Sequence, residues 1–92
     1  MKYIRNSSVV ARSVAGEYIL VPVSGDVADM RQLFSLNQTA QSIWKVLASP
    51  VTEDQVVAAI TSEFHVDATL ARKDVQELLA TLQDRKLIEC VP

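Results

Sequence analysis

The chain has 92 residues, of which 49% are hydrophobic, and nine Lys and Arg against eleven Asp and Glu leave a formal net charge of −2. That size allows one domain burying roughly 60–65% of the surface its unfolded chain would expose, with one modest core and little room for an active-site cavity. The acidic balance removes the basic excess that an unselective phosphate binder needs, and a single cysteine, Cys90, excludes an internal disulfide or a cysteine-built metal cluster and fits a reducing compartment.

With two glycines and three prolines the chain has few breakers, so a packed globule is expected and long disorder is not. Lys2 and Arg5 precede Val9, Val10 and Ala11, but Arg12 stops that run before it becomes the apolar core of a signal peptide, and no stretch reaches membrane-spanning length. A cytoplasmic protein with no membrane partner is the expectation. Residues 8–14 form a short β-rich run, Ala15 and Gly16 a tight turn, and residues 17–23 a second run of Tyr, Ile, Leu and Val, which together predict a β-hairpin. Pro22 has no N–H to give a ladder, so the second strand should end near it or turn that position to a sheet edge. Ser24, Gly25 and Asp26 signal a turn, residues 27–30 a connection, and residues 31–36 a third strand, with antiparallel pairing throughout because the connections are short.

At Asn37 alternation gives way to helical spacing. Asn37 is a strong N-cap type, and Ala40, Ile43, Trp44 and Leu47 then fall on one helical face, which makes the only tryptophan the centre of the expected core. The segment Ala48-Ser49-Pro50-Val51-Thr52 ends this helix and starts another. Thr52 is the N-cap, Gln55 its capping-box partner, Val51 a staple to Val56, and Glu53 and Asp54 sit where the helix dipole favours negative charge. Val56, Val57, Ile60 and Phe64 form the buried stripe of that helix. Asp67 caps a third helix running to about Arg85, with Ala71, Val75, Leu78, Leu79 and Leu82 facing the core. Leu87, Ile88 and Val91 are too few for another helix and read as a short extended tail against the sheet or core. The fold class is therefore α+β, with the layout of a winged helix-turn-helix whose three-stranded antiparallel sheet comes first, in one domain over residues 1–92.

The sequence is poor in reactive chemistry. His65 is the only histidine, and Glu63, two residues away, points to a different side of a helix end, so a metal pair is not expected. No nucleophile, base and orienting group of ordinary type can be assembled, and the two glycines stand apart in hairpin turns and not in a phosphate-binding loop. The expectation is a protein that is not an enzyme and needs no cofactor. A DNA-binding winged helix is the alternative from a different class. Its recognition helix would carry Arg72, Lys73, Arg85 and Lys86 but also Asp67, Asp74, Glu77 and Asp84, a neutral balance that supplies few phosphate contacts.

The spaced set Leu36-Asn37-Gln38-Thr39-Ala40, Ile43-Trp44 and Leu47 resembles the signature of the coenzyme PQQ synthesis protein D family (PqqD). Val51-Thr52-Glu53-Asp54-Gln55-Val56 resembles that family's second-helix start, Phe64-His65-Val66-Asp67 its helix junction, and Asp74-Val75, Leu78-Leu79 and Leu82 its third helix. The likeness runs from about Val10 to Ile88. Lys86 departs from it, standing where the family commonly has glycine at the end of the last helix.

This resemblance implies a peptide-recognition element, a non-catalytic module that captures the leader of a ribosomally made precursor peptide and delivers it to a modifying enzyme. For the PQQ protein itself that enzyme is a radical S-adenosylmethionine protein, and similar domains serve lasso-peptide, lanthipeptide and other pathways. The implied mechanism is β-augmentation on the edge of the third strand, with alternate leader side chains dropped toward the third helix. The candidate peptide-binding residues are Arg31, Gln32, Leu33, Phe34 and Ser35 on the strand and Leu70, Lys73, Asp74 and Glu77 on the helix, whose spacing of three and four forms a mixed apolar and charged wall. No nucleic-acid partner is expected, and a homodimer through the same strand edge stays open.

Overall fold

The computed structural model describes residues 1–23 and 34–92. Among these residues five strands and three helices follow in the order β1 (Lys2–Arg5), β2 (Val9–Val14), β3 (Glu17–Pro22), β4 (Phe34–Leu36), α1 (Gln38–Val46), α2 (Glu53–Phe64), α3 (Ala68–Asp84) and β5 (Ile88–Val91). The α+β class, the antiparallel pairing and the three helices agree with the sequence reading. The sheet layout differs, because the strands divide between two sheets.

The larger sheet has the order β2-β3-β4. Its hairpin turns on Ala15 (φ 51°) and Gly16 (φ 83°), and positive φ at both central positions is the geometry of a two-residue turn that matches the twist of the flanking strands. Register runs from Val14 opposite Glu17 to Val9 opposite Pro22, so Pro22 closes the central strand as its last residue. On the other side of β3, Phe34, Ser35 and Leu36 lie opposite Leu20, Ile19 and Tyr18. Because side chains alternate, Val9, Ala11, Tyr18, Leu20, Phe34 and Leu36 share the face that packs on the core, with Leu20 and Leu36 fully enclosed. Of the strand expected over residues 31–36, Arg31, Gln32 and Leu33 lie outside the described residues, as does the connection over 24–30.

The smaller sheet is a correction. The tail is not merely laid against the core: β5 pairs antiparallel with β1, Lys2 opposite Val91 and Arg5 opposite Ile88. β1 also bridges the α1–α2 connection, with the Tyr3 N–H donating to the Val51 carbonyl at 2.7 Å and the Val51 N–H returning to Tyr3 at 3.0 Å. β1 escaped the sequence reading because its four residues show no alternation of their own and its partner is at the far end of the chain.

Local chemistry sets the helix ends. The Asn37, Thr52 and Asp67 side chains accept from the backbone N–H groups of Ala40, Gln55 and Leu70, and Gln55 Oε1 accepts from the Thr52 N–H to complete the capping box. α3 ends sharply despite Lys86, which adopts φ 61°. The Lys86 N–H donates to Gln83 and the Leu87 N–H to Leu82 at 2.9 Å, the paired bonds of a Schellman ending, with Leu82 and Leu87 both buried. Asn6 Nδ2 then donates to the Lys86 carbonyl at 3.0 Å, tying the end of β1 to that turn.

Trp44 is 1% exposed and lies in a core with Leu20, Ile43, Leu47, Val56, Val75, Leu82 and Leu87. The Arg5 guanidinium sits 5.4 Å from the centre of its ring. Leu78, placed in the core from its spacing, is only half-buried: the helix turns Ala71, Val75, Leu79 and Leu82 inward and leaves Leu78 at the margin.

Trp44→Ala should cost about 3–5 kcal/mol and leave the domain largely unfolded, measured as a denaturant midpoint. A mutant melting within a few degrees of the parent would overturn the placement of this ring. Lys86→Gly should raise stability by about 1 kcal/mol, because a left-handed backbone strains any side-chain-bearing residue and not glycine.

Candidate functional site

Leu36 enters the core and the next residue caps α1, so the strand passes into the helix without a loop. α3 lies across from this joint, and between them a cleft of about 400 Å³ opens to solvent. Phe34, Asn37, Thr39, Ala40 and Ile43 line it from the β4–α1 side, and Asp74, Glu77, Leu78 and Thr81 from α3. Its base is apolar: Ala40 and Ile43 are buried, and Phe34 and Leu78 are half-buried against the core. Asp74 and Glu77 are exposed on the helical wall. At the end of α3 the Arg85 guanidinium stacks 5.2 Å from the centre of the Phe34 ring, which holds that ring between helix and strand.

β4 pairs with β3 on one edge only, and among the described residues no strand covers the other. An uncovered edge carries N–H and C=O groups able to continue a ladder.

The opposite flank of α3 is committed to α2. Arg72 Nη1 donates to Glu53 Oε2 at 2.7 Å and Nη2 to Asp54 Oδ1 at 2.8 Å, while Gln76 Nε2 donates to Glu53 at 3.0 Å. Hydrogen bonding to Asp54 first, then to Glu53, holds the Arg72 guanidinium above its ordinary pKa.

Of the residues singled out by sequence, Phe34, Asp74 and Glu77 lie together on the cleft. Ser35 is exposed on β4 opposite Ile19, and Leu70 and Lys73 are exposed at the start of α3 without lining the cleft. Arg31, Gln32 and Leu33 lie outside the described residues. Asn37, Thr39, Ala40, Ile43, Leu78 and Thr81 were not anticipated as site residues. The signal that was present is the helical offset of Leu78 and Thr81, which follow Asp74 and Glu77 at intervals of four. Among the described residues, no three His, Cys, Asp or Glu side chains gather to hold a metal, and no helix is long and apolar enough to cross a membrane.

The model of the family coenzyme PQQ synthesis protein D (PqqD) matches residues 17–88. Among solved structures, TbiB1 in complex with the TbiA(beta) leader peptide is similar at a TM-score of 0.76 and 22% identity, covering 97% of this chain and 98% of its own. Lasso peptide synthetase B1 complexed with the leader peptide is similar at a TM-score of 0.76 and 19% identity, over 98% of this chain and 100% of its own. No curated protein matches.

The border position of Leu78 is testable beside its neighbour. Leu79→Ala should cost about 2–5 kcal/mol and Leu78→Ala about 1 kcal/mol, because only the former empties a fully enclosed site. Equal losses in urea unfolding would mean that Leu78 belongs to the core and not to the cleft.

Proposed function

The chain belongs to the coenzyme PQQ synthesis protein D family, and on that premise we propose that it is a non-catalytic module that captures the leader of a ribosomally made precursor peptide by strand addition and presents it to a modifying enzyme. The observation that carries this reading is the edge of β4 that no strand among the described residues covers, running beside a cleft with an apolar base. A peptide adding to that edge gains main-chain hydrogen bonds, and its alternate side chains turn toward Phe34, Ile43 and Leu78, so the backbone supplies affinity and the cleft supplies register. Capture by leader-binding proteins of the same fold supports the reading. Where the pathway is that of PQQ, the receiving enzyme is a radical S-adenosylmethionine protein, and the exchange takes place in the cytoplasm where the precursor is made.

The arrangement of α2, a short turn and α3 beside small sheets is winged helix-turn-helix-like, yet α3 is poorly equipped for DNA. Arg72 is spent on Glu53 and Asp54, and on the exposed side of the helix Lys73 stands beside Asp74 and Glu77. A surface without a basic excess supplies few phosphate contacts.

Leader segments of peptides encoded beside this gene should bind the purified protein, and duplex DNA at physiological salt should not. Amide resonances of residues 34–36 and of the cleft side of α3 should shift on adding the leader. Shifts confined to the β2–β3 hairpin or to α2 would overturn the proposal. So would dimers, detected by light scattering across a dilution series, that no leader competes with at the β4 edge.

A further inference from the structure

Asp74 and Glu77 stand on the wall of an otherwise apolar cleft with no ion pair to either among the described residues. Their spacing of three puts two like charges side by side on one helix face, which disfavours the helix slightly unless something between them is positive. Neither serves the helix end: Asp67 is the cap, and Asp74 lies beyond the first turn, where the dipole would reward negative charge. Neither Arg85, whose guanidinium is stacked on Phe34, nor the exposed Lys73, one turn before Glu77, forms an ion pair with them among the described residues.

An occupant that fills the cleft strips water from both carboxylates. An apolar or acidic occupant leaves them unpaired, and a second copy of this chain joined edge to edge at β4 offers them a strand, Phe34–Leu36, that carries no cation. A cation between apolar neighbours satisfies all of the surfaces at once. Its charge meets the two carboxylates, and the side chains flanking it rest on Ile43 and Leu78.

Building on the peptide-capture reading, we infer that the segment this cleft takes presents a lysine or arginine to Asp74 and Glu77, set among apolar residues that occupy the base formed by Ile43 and Leu78. The carboxylates thus determine which peptides bind, and the strand edge determines that a peptide binds.

The test uses a displayed library of short random peptides, selected on the wild-type protein and on the Asp74→Asn/Glu77→Gln variant, whose fold is checked by its melting curve. Peptides recovered on the wild type should be enriched in Lys and Arg, and the enrichment should disappear on the variant. For one recovered peptide, replacing its cation by alanine should weaken binding to the wild type about tenfold, as for loss of a hydrogen bond to a charged group, and leave binding to the variant unchanged. Rising salt should erode the first affinity and not the second. If recovered peptides shift the amides of the cleft but carry no excess of cations, or bind both proteins equally, this inference is overturned and peptide capture stands. If no peptide is enriched, or those enriched shift amides outside the cleft, capture itself is overturned. Should the double variant unfold, Glu77→Gln and the alanine-substituted peptide give the same comparison.

Discussion

Everything that defines the cleft depends on the joint between Leu36 and Asn37. Leu36 is buried as the last residue of β4, and one position later the Asn37 side chain accepts from the Ala40 N–H to start α1. With no loop between them, the direction of the strand sets the direction of the helix, and the buried face of Ala40, Ile43, Trp44 and Leu47 is aligned with the strand edge. A flexible connection here would let edge and cleft move independently. The rigid joint makes them one surface, which strand addition with side-chain register requires.

A second constraint closes the molecule from its ends. β1 and β5 pair with each other, Tyr3 exchanges hydrogen bonds with Val51, the Arg5 N–H donates to Leu47, and Asn6 holds both the Lys86 carbonyl and, through its own N–H, that of Leu87. These bonds tie the N-terminus to the exits of α1 and α3, so the three helices are held in place by backbone that is remote in sequence. They also account for Lys86. Held by Asn6 on one side and by the Schellman bonds on the other, the turn keeps its left-handed shape without the glycine usual at such a position.

α3 divides its polar residues by task. On one flank Arg72 and Gln76 bind α2 through Glu53 and Asp54, its inner stripe fills the core, and on the other flank Asp74 and Glu77 have no ion pair among the described residues beside the cleft. The same helix is thus a strut on one side and a wall of the cleft on the other. This also explains why its overall charge balance is uninformative: Arg72 is consumed internally, and the charged residues that α3 sets on the cleft wall, Asp74 and Glu77, are both acidic.

What the sequence by itself determined is what local chemistry controls. The caps at Asn37, Thr52 and Asp67, the hairpin at Ala15 and Gly16 and the end of the central strand at Pro22 all depend on interactions within a few residues, and each is where its residue type demands. The tertiary structure alone decided the β1–β5 sheet, because two four-residue strands at opposite ends of the chain gain their hydrogen bonds only when the core has already brought them together. It also decided which residues form the cleft. Leu78 satisfies the helical period of the core as well as Leu79 does, but in the folded chain it lies at the margin, where with Ile43 and Phe34 it lines a groove instead of filling the interior.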